Sequence, residues 1–286
     1  METLTVTGAD DLDLVVDRTG PAGGPGALLL HGGGQNRHAW KGTTAALGRA
    51  GHRVVAADAR GHGDSQWSPD AAYEMTDMAA DVDRLLELFD EPPVVIGASM
   101  GGMAALMAQG AADRQLYRAV VLVDVTPRME TAGVERIVRF MSARPDGFES
   151  LDEAAAVIAA YNPDREQPTS TAGLERVLRE RDGRWVWRWD PQFILSKAAD
   201  MLESGRTAER MDLLAGALHA AAARLTVPTL LVRGQQSDLV SEETVKEFID
   251  VVPHARYVDV TGAGHMVAGD DNDAFTAAVL EFLADR

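Results

Sequence analysis

The chain has no cysteine, which excludes disulfides and a thiolate nucleophile. Positive charge is scarce: 27 Lys and Arg stand against 44 Asp and Glu, a formal net charge of −17. A surface of that sign repels phosphate backbones, so nucleic acid is excluded as a partner. Long apolar runs are also missing, and none approaches the roughly 18 residues of a membrane-spanning helix. The opening residues Met1-Glu2-Thr3-Leu4-Thr5 show neither the basic nor the apolar part of a secretory signal. The expectation is a cytoplasmic protein that engages no membrane. Aromatics are few, at 6%, within a hydrophobic content of 46% that is ordinary for a globular chain.

What is present is an alternation of short buried-type strands with Ala-rich helical stretches. Strands are predicted at Leu12–Val16, Ala27–His31, His52–Ala57, Pro93–Gly97, Ala119–Val123, Thr229–Arg233 and Arg256–Val260, with an edge strand at Thr3–Thr7. Helices are predicted near Arg37–Ala50, Thr76–Phe89, Met100–Ala111, Glu242–Val251 and Asp273–Ala284. Such alternation implies an α/β fold with a doubly wound, mostly parallel sheet. The first two strands lie too close for a crossover helix and are expected to form an antiparallel hairpin. Between about Arg128 and Leu213 the alternation lapses into helices at Val134–Ser142, Leu151–Ala160, Gly173–Arg181 and after Phe193. Residues 1–127 and 214–286 are thus read as the core domain, and 128–213 as a helical cap inserted between two sheet strands. The cap would sit over the carboxyl edge of the sheet, where open α/β sheets bind ligands.

Chemistry concentrates at that edge. The pentapeptide Gly97-Ala98-Ser99-Met100-Gly101 joins the predicted strand ending at Gly97 to the helix starting at Met100. A Gly-x-Ser-x-Gly turn in this context presents its serine beside a helix N-terminus, and the Met100 amide points where an oxyanion would form. A serine hydroxyl needs a base to become nucleophilic. Among seven histidines, His265 follows the last strand in the Gly-rich loop Thr261-Gly262-Ala263-Gly264-His265 and is the candidate. Asp238, after the strand ending at Arg233, is favoured as the acid that orients it, and Asp124, after Ala119–Val123, is the alternative. Both satisfy the order Ser, Asp, His. The loop His31-Gly32-Gly33-Gly34 leaves a strand end and offers a second oxyanion amide, from Gly33 or else Gly34. It lacks the ending of a phosphate-binding loop. His38, Trp40 and Trp187, with Gly34, are candidate pocket residues. Asp58-Ala59-Arg60-Gly61-His62-Gly63-Asp64-Ser65 lacks compact metal-ligand spacing and reads as a hydrogen-bonded turn. No metal or organic cofactor is expected.

Taken together, His31-Gly32-Gly33, Asp58-x-Arg60-Gly61-His62-Gly63-x-Ser65, Gly97-x-Ser99-Met100-Gly101-Gly102, Gly234-x-x-Ser237-Asp238 and Gly264-His265 resemble the α/β-hydrolase superfamily, in its capped esterase and cofactor-free haloperoxidase branch. The resemblance implies an eight-stranded sheet, a Ser99–Asp238–His265 triad and an oxyanion hole from the Gly33 and Met100 amides. Serine at the nucleophile position departs from epoxide hydrolases and haloalkane dehalogenases, which carry Asp there. The expected activity is hydrolysis of a carboxylic ester or lactone of a small to medium apolar molecule. Perhydrolysis, carbon–carbon bond hydrolysis and ligand binding on a hydrolase scaffold are the alternatives. The oligomeric state is not encoded in any readable feature.

Overall fold

The computed structural model describes residues 1–161, 171–198, 207–261 and 273–284. Its main sheet has eight strands in the order β1-β2-β4-β3-β5-β6-β9-β10. These are β1 (Glu2–Thr7), β2 (Asp13–Thr19), β3 (Gly26–Leu30), β4 (Arg53–Ala57), β5 (Val94–Ala98), β6 (Ala119–Val123), β9 (Thr229–Gly234) and β10 (Arg256–Val260). β2 runs antiparallel to both β1 and β4, and every other pairing is parallel. The expected hairpin is the β1–β2 pair.

The central strands are continuous Ala, Val, Leu and Ile because both of their faces are covered. Side chains alternate across the sheet, and so does the packing. Leu28, Leu30, Val55, Val95, Val120 and Leu122 face one apolar layer. Ala27, Leu29, Val54, Val94, Ile96 and Val121 face the other. The first layer holds α2 (Met75–Leu86), α3 (Met100–Ala111) and α8 (Glu242–Val251) together with the inserted segment; the second holds α1 (Lys41–Arg49) and α9 (Asp273–Ala284). Trp40, a candidate pocket residue from sequence, belongs to the second layer. It is fully buried with its ring centroid 5.9 Å from that of Phe275, so it packs the core under α9 and not the space beneath the inserted segment.

Between β6 and β9 lie α4 (Thr131–Ser142), α5 (Leu151–Tyr161), a 3-10 turn (Thr171–Arg176), a two-stranded hairpin of β7 (Leu178–Arg181) and β8 (Arg184–Trp187), α6 (Gln192–Ala198) and α7 (Thr207–Ala222). The insertion is therefore not purely helical, and the helix expected over Gly173–Arg181 is a 3-10 turn followed by a strand. Asp182-Gly183, both at positive φ, make the tight turn that closes a hairpin. Leu178 then pairs with Trp187 on the inward face. Both are buried, and the turn with its cross-strand pairing overrides the helical composition. α7 runs unbroken through Leu213 and packs on α3 so closely that a Cβ on Gly110 would meet the Ala221 Cβ at 2.7 Å. Among the described residues, no helix is long and apolar enough to cross a membrane.

Candidate active site

The carboxyl ends of β3, β5, β6 and β9 converge on one edge of the sheet. Ser99 stands there between β5 and α3 with φ 43° and ψ −114°, a backbone conformation that a non-glycine residue adopts only under constraint. The constraint is visible in the neighbours. A Cβ on Gly97 would come within 2.6 Å of the Gly102 Cα, and one on Gly101 within 2.4 Å of the Leu30 carbonyl oxygen. The Ser99 N–H donates to the Val123 carbonyl at 3.0 Å, and the Ser99 carbonyl accepts from Met103 at 2.9 Å. Met100 opens α3, so its N–H has no acceptor within the helix.

The loop after β3 lies against this turn. A Cβ on Gly32 would be 3.5 Å from the Ser99 Cβ, and the Gly101 N–H donates to the His31 carbonyl at 3.1 Å. The Gln35 side chain accepts from the Gly32 N–H at 3.0 Å. Buried His31 pins the loop from below. Its Nε2 accepts from the Ala59 N–H at 3.0 Å, which leaves the proton on Nδ1, donated to the Gly32 carbonyl at 2.8 Å. Burial pushes the His31 pKa down, against the upward pull of Asp58. Gly34, at φ 74°, is closed over by Met141 and Trp189, whose nearest atoms would be 3.2 and 3.3 Å from a Cβ there. Gly33 faces Phe193 and the Met100 sulfur at 3.8 and 3.9 Å by the same measure. Trp187 stacks on Trp189 with centroids 4.2 Å apart and meets Phe140 and Phe148 edge-on. His38 is part-exposed, with Nδ1 3.8 Å from the Asp17 carboxylate.

The two acid candidates sit in different surroundings. Asp124 follows β6 at φ 50° and is 1% exposed. Its carboxylate accepts from the Ser237 hydroxyl at 2.7 Å, in the loop after β9, and from the N–H of Gly234, the last residue of β9, at 3.2 Å. Ser237 in turn accepts from the Leu239 and Val240 N–H groups, each at 3.1 Å. Asp238 is 34% exposed and pairs with the Arg136 guanidinium of α4 at 2.7 Å. Arg136 also lies 4.8 Å from the centre of the Tyr161 ring. Ser237, Arg136, Met141 and Phe193 were not singled out from sequence. Ser237 stood inside a quoted motif, and the other three lie in the insertion, where nothing in local spacing announces a role. His265 lies outside the described residues.

The Asp58–Ser65 turn is a buried charge network. Asp58 accepts from the Arg37 N–H at 2.6 Å, the Arg37 guanidinium and the Asp64 N–H at 2.8 Å. Fully buried Arg60 is held by both oxygens of Asp81, at 2.6 and 2.9 Å. The turn also anchors the inserted segment. The Asp190 N–H donates to the Gly61 carbonyl at 2.7 Å, the Tyr73 hydroxyl donates to Asp190 at 2.5 Å, and Arg188 pairs with Asp64 at 3.0 Å.

Comparison with known proteins bears on the family to which this fold belongs. Residues 27–278 match the model of the alpha/beta hydrolase family. The chain is 30% identical over 273 residues to the esterase Rv0045c of Mycobacterium tuberculosis, covering 92% of this chain and 84% of that protein. It is 31% identical over 270 residues to the mouse (Mus musculus) sn-1-specific diacylglycerol lipase ABHD11, covering 91% and 81%. The crystal structure of E-2-(acetamidomethylene)succinate hydrolase superposes with a TM-score of 0.79 at 25% identity, covering 99% of both chains. With a family match over most of its length and hydrolases among its relatives, the chain belongs to the alpha/beta hydrolase family and is a hydrolase.

Proposed function

We propose that the protein is a serine hydrolase that cleaves a carboxylic ester or lactone through an acyl-enzyme on Ser99. The observation that carries this reading is the left-handed backbone of Ser99 at the strand–helix turn. Strain of that kind is retained where it presents a reactive group. In the proposed reaction His265 takes the Ser99 proton as the hydroxyl attacks the carbonyl. The Gly33 and Met100 amides hold the oxyanion, and His265 then protonates the leaving alcohol and activates water for deacylation.

For the acid we favour Asp124 over Asp238, reversing the preference drawn from chain order and motif. Asp124 is buried, backbone-strained and already hydrogen-bonded at the strand edge beside Ser99, as an orienting carboxylate needs to be. Asp238 has its charge committed to Arg136. Residues 128–213 would act as the lid, with Met141, Trp187, Trp189 and Phe193 forming an apolar roof over Gly33 and Gly34. That lining supports a small to medium apolar acyl or alcohol group. A fluorophosphonate probe tests the core of the reading. Labelling of folded wild type at Ser99, lost in Ser99→Ala together with p-nitrophenyl ester turnover, is the expected result. Full turnover in Ser99→Ala would place the chemistry elsewhere.

A further inference from the structure

The β7–β8 hairpin has two unlike faces. Register puts Leu178 opposite Trp187, both buried in the insertion, and Glu180 opposite Trp185 on the same face. The other face carries Arg179 and Arg181 on β7, with Arg184 directly across from Arg181. Arg188 joins them, since its N–H bonds the Val177 carbonyl as the ladder continues. Like charges placed opposite one another weaken a sheet, so four arginines on one face of a four-residue hairpin are a local cost to folding. Carboxylates relieve it only in part: Arg184 lies 3.9 Å from Glu149 and Arg188 3.0 Å from Asp64. Among the described residues Arg179 has no carboxylate partner. Its guanidinium lies 4.8 Å from the centre of the Trp67 ring. Arg181 has only its exposed neighbour Asp182, at 3.9 Å. Arg188 shares Asp64 with Arg37. Burial, followed by repulsion from Arg188 and Arg181, lowers the Arg179 pKa. This cluster occurs in a chain of net charge −17.

The base of the hairpin is tied to the loop that follows Gly34. The Asn36 side chain, two residues past Gly34, donates to the Arg176 carbonyl at 2.5 Å just before β7. Trp67 lies just past the Asp58–Ser65 turn, which His31 ties to the glycine loop. We propose that the Arg179–Arg181–Arg188 face docks an anionic group, a carboxylate or a phosphate, carried by the substrate that Ser99 attacks. The proposal rests on the Ser99 reading for the identity of the ligand, and on the arginine face for its charge. The local cations would reverse, at the site mouth, the repulsion that the whole chain exerts on anions.

Two esters with one leaving group test it: p-nitrophenyl butyrate and the mono-p-nitrophenyl ester of glutaric acid, which adds a carboxylate. Butyryl-coenzyme A forms a third arm that carries phosphates instead. One part-exposed charge contact corresponds to about a 1.4- to 5-fold change in binding. Arg179→Gln and Arg181→Gln should each lower the ratio of kcat/KM for an anionic substrate over p-nitrophenyl butyrate by that factor. High salt should erode the wild-type ratio in the same direction. The arm that responds identifies carboxylate or phosphate. In parallel, Ser99→Ala is titrated with glutarate and with inorganic pyrophosphate, following the fluorescence lost in Trp67→Phe. A saturable change that Arg179→Gln weakens supports the site even if wild type hydrolyses no ester, in which case the Ser99 reading alone fails. Unchanged ratios together with a flat titration overturn the proposal.

Discussion

Replacing Asp124 by Asn is the sharpest perturbation available. The side chain keeps its shape but loses its charge, in a site that is 1% exposed. One oxygen can still accept from Ser237. The new amide must face either the Gly234 N–H or, in the proposed triad, the imidazole, and neither arrangement would reproduce a carboxylate that holds a protonated histidine. In a serine triad this change costs about 10⁴-fold in kcat by stabilising the wrong tautomer, or about 5.4 kcal/mol of transition-state stabilisation. Asp238→Asn removes an exposed ion pair with Arg136, worth about 0.2–1 kcal/mol, and so should move kcat less than about tenfold. The assay is p-nitrophenyl ester hydrolysis at pH 8, with circular dichroism and thermal melting to show that both variants are folded. A larger kcat loss in Asp238→Asn than in Asp124→Asn would refute the assignment of the acid and restore the preference drawn from sequence.

Two further outcomes concern stability. Asp81→Asn leaves the buried Arg60 guanidinium without its two-oxygen partner, and urea denaturation should show a loss of about 3–5 kcal/mol; a loss below about 1 kcal/mol would mean that Asp10 and the Ala72 carbonyl suffice. His31 has a pKa lowered by burial, so the unfolded chain binds its proton first as pH falls. Its contribution is complete above the ordinary histidine value of about 6.5 and drains away below it, by up to about 1.4 kcal/mol per pH unit. Melting temperatures from pH 7 to 5 should therefore fall more steeply for wild type than for His31→Gln, and parallel slopes would remove His31 from the account.

Strand identity was largely legible because buried parallel strands write themselves as short Val, Leu and Ile runs. The limits of β6 and β10, Ala119–Val123 and Arg256–Val260, match the expectation residue for residue. The strand–turn–helix context of Ser99 was legible because its glycines are forced by close backbone approach, which only a few residues can satisfy. The choice between two aspartates was not. Both follow strand ends in the permitted order, and what separates them is three-dimensional: a serine hydroxyl on one and an arginine from α4 on the other. The β7 strand was missed for a related reason. Its residues have helix-compatible composition, and only the Asp182-Gly183 turn, with the pairing of Leu178 and Trp187, overrules it.

The anchoring of the inserted segment on the Asp58–Ser65 turn bears on how far such insertions are interchangeable. Gly61, Asp64 and Tyr73 belong to the core chain, yet they hold Arg188 and Asp190 of the insertion. A chimera that grafts a relative's insertion between β6 and β9 inherits half of each contact. It leaves Asp64 to Arg37 alone, and the Tyr73 hydroxyl buried without its carboxylate. Exchange of the inserted segment in this scaffold is therefore a two-segment transplant, the second segment being Gly61–Tyr73, which precedes α2.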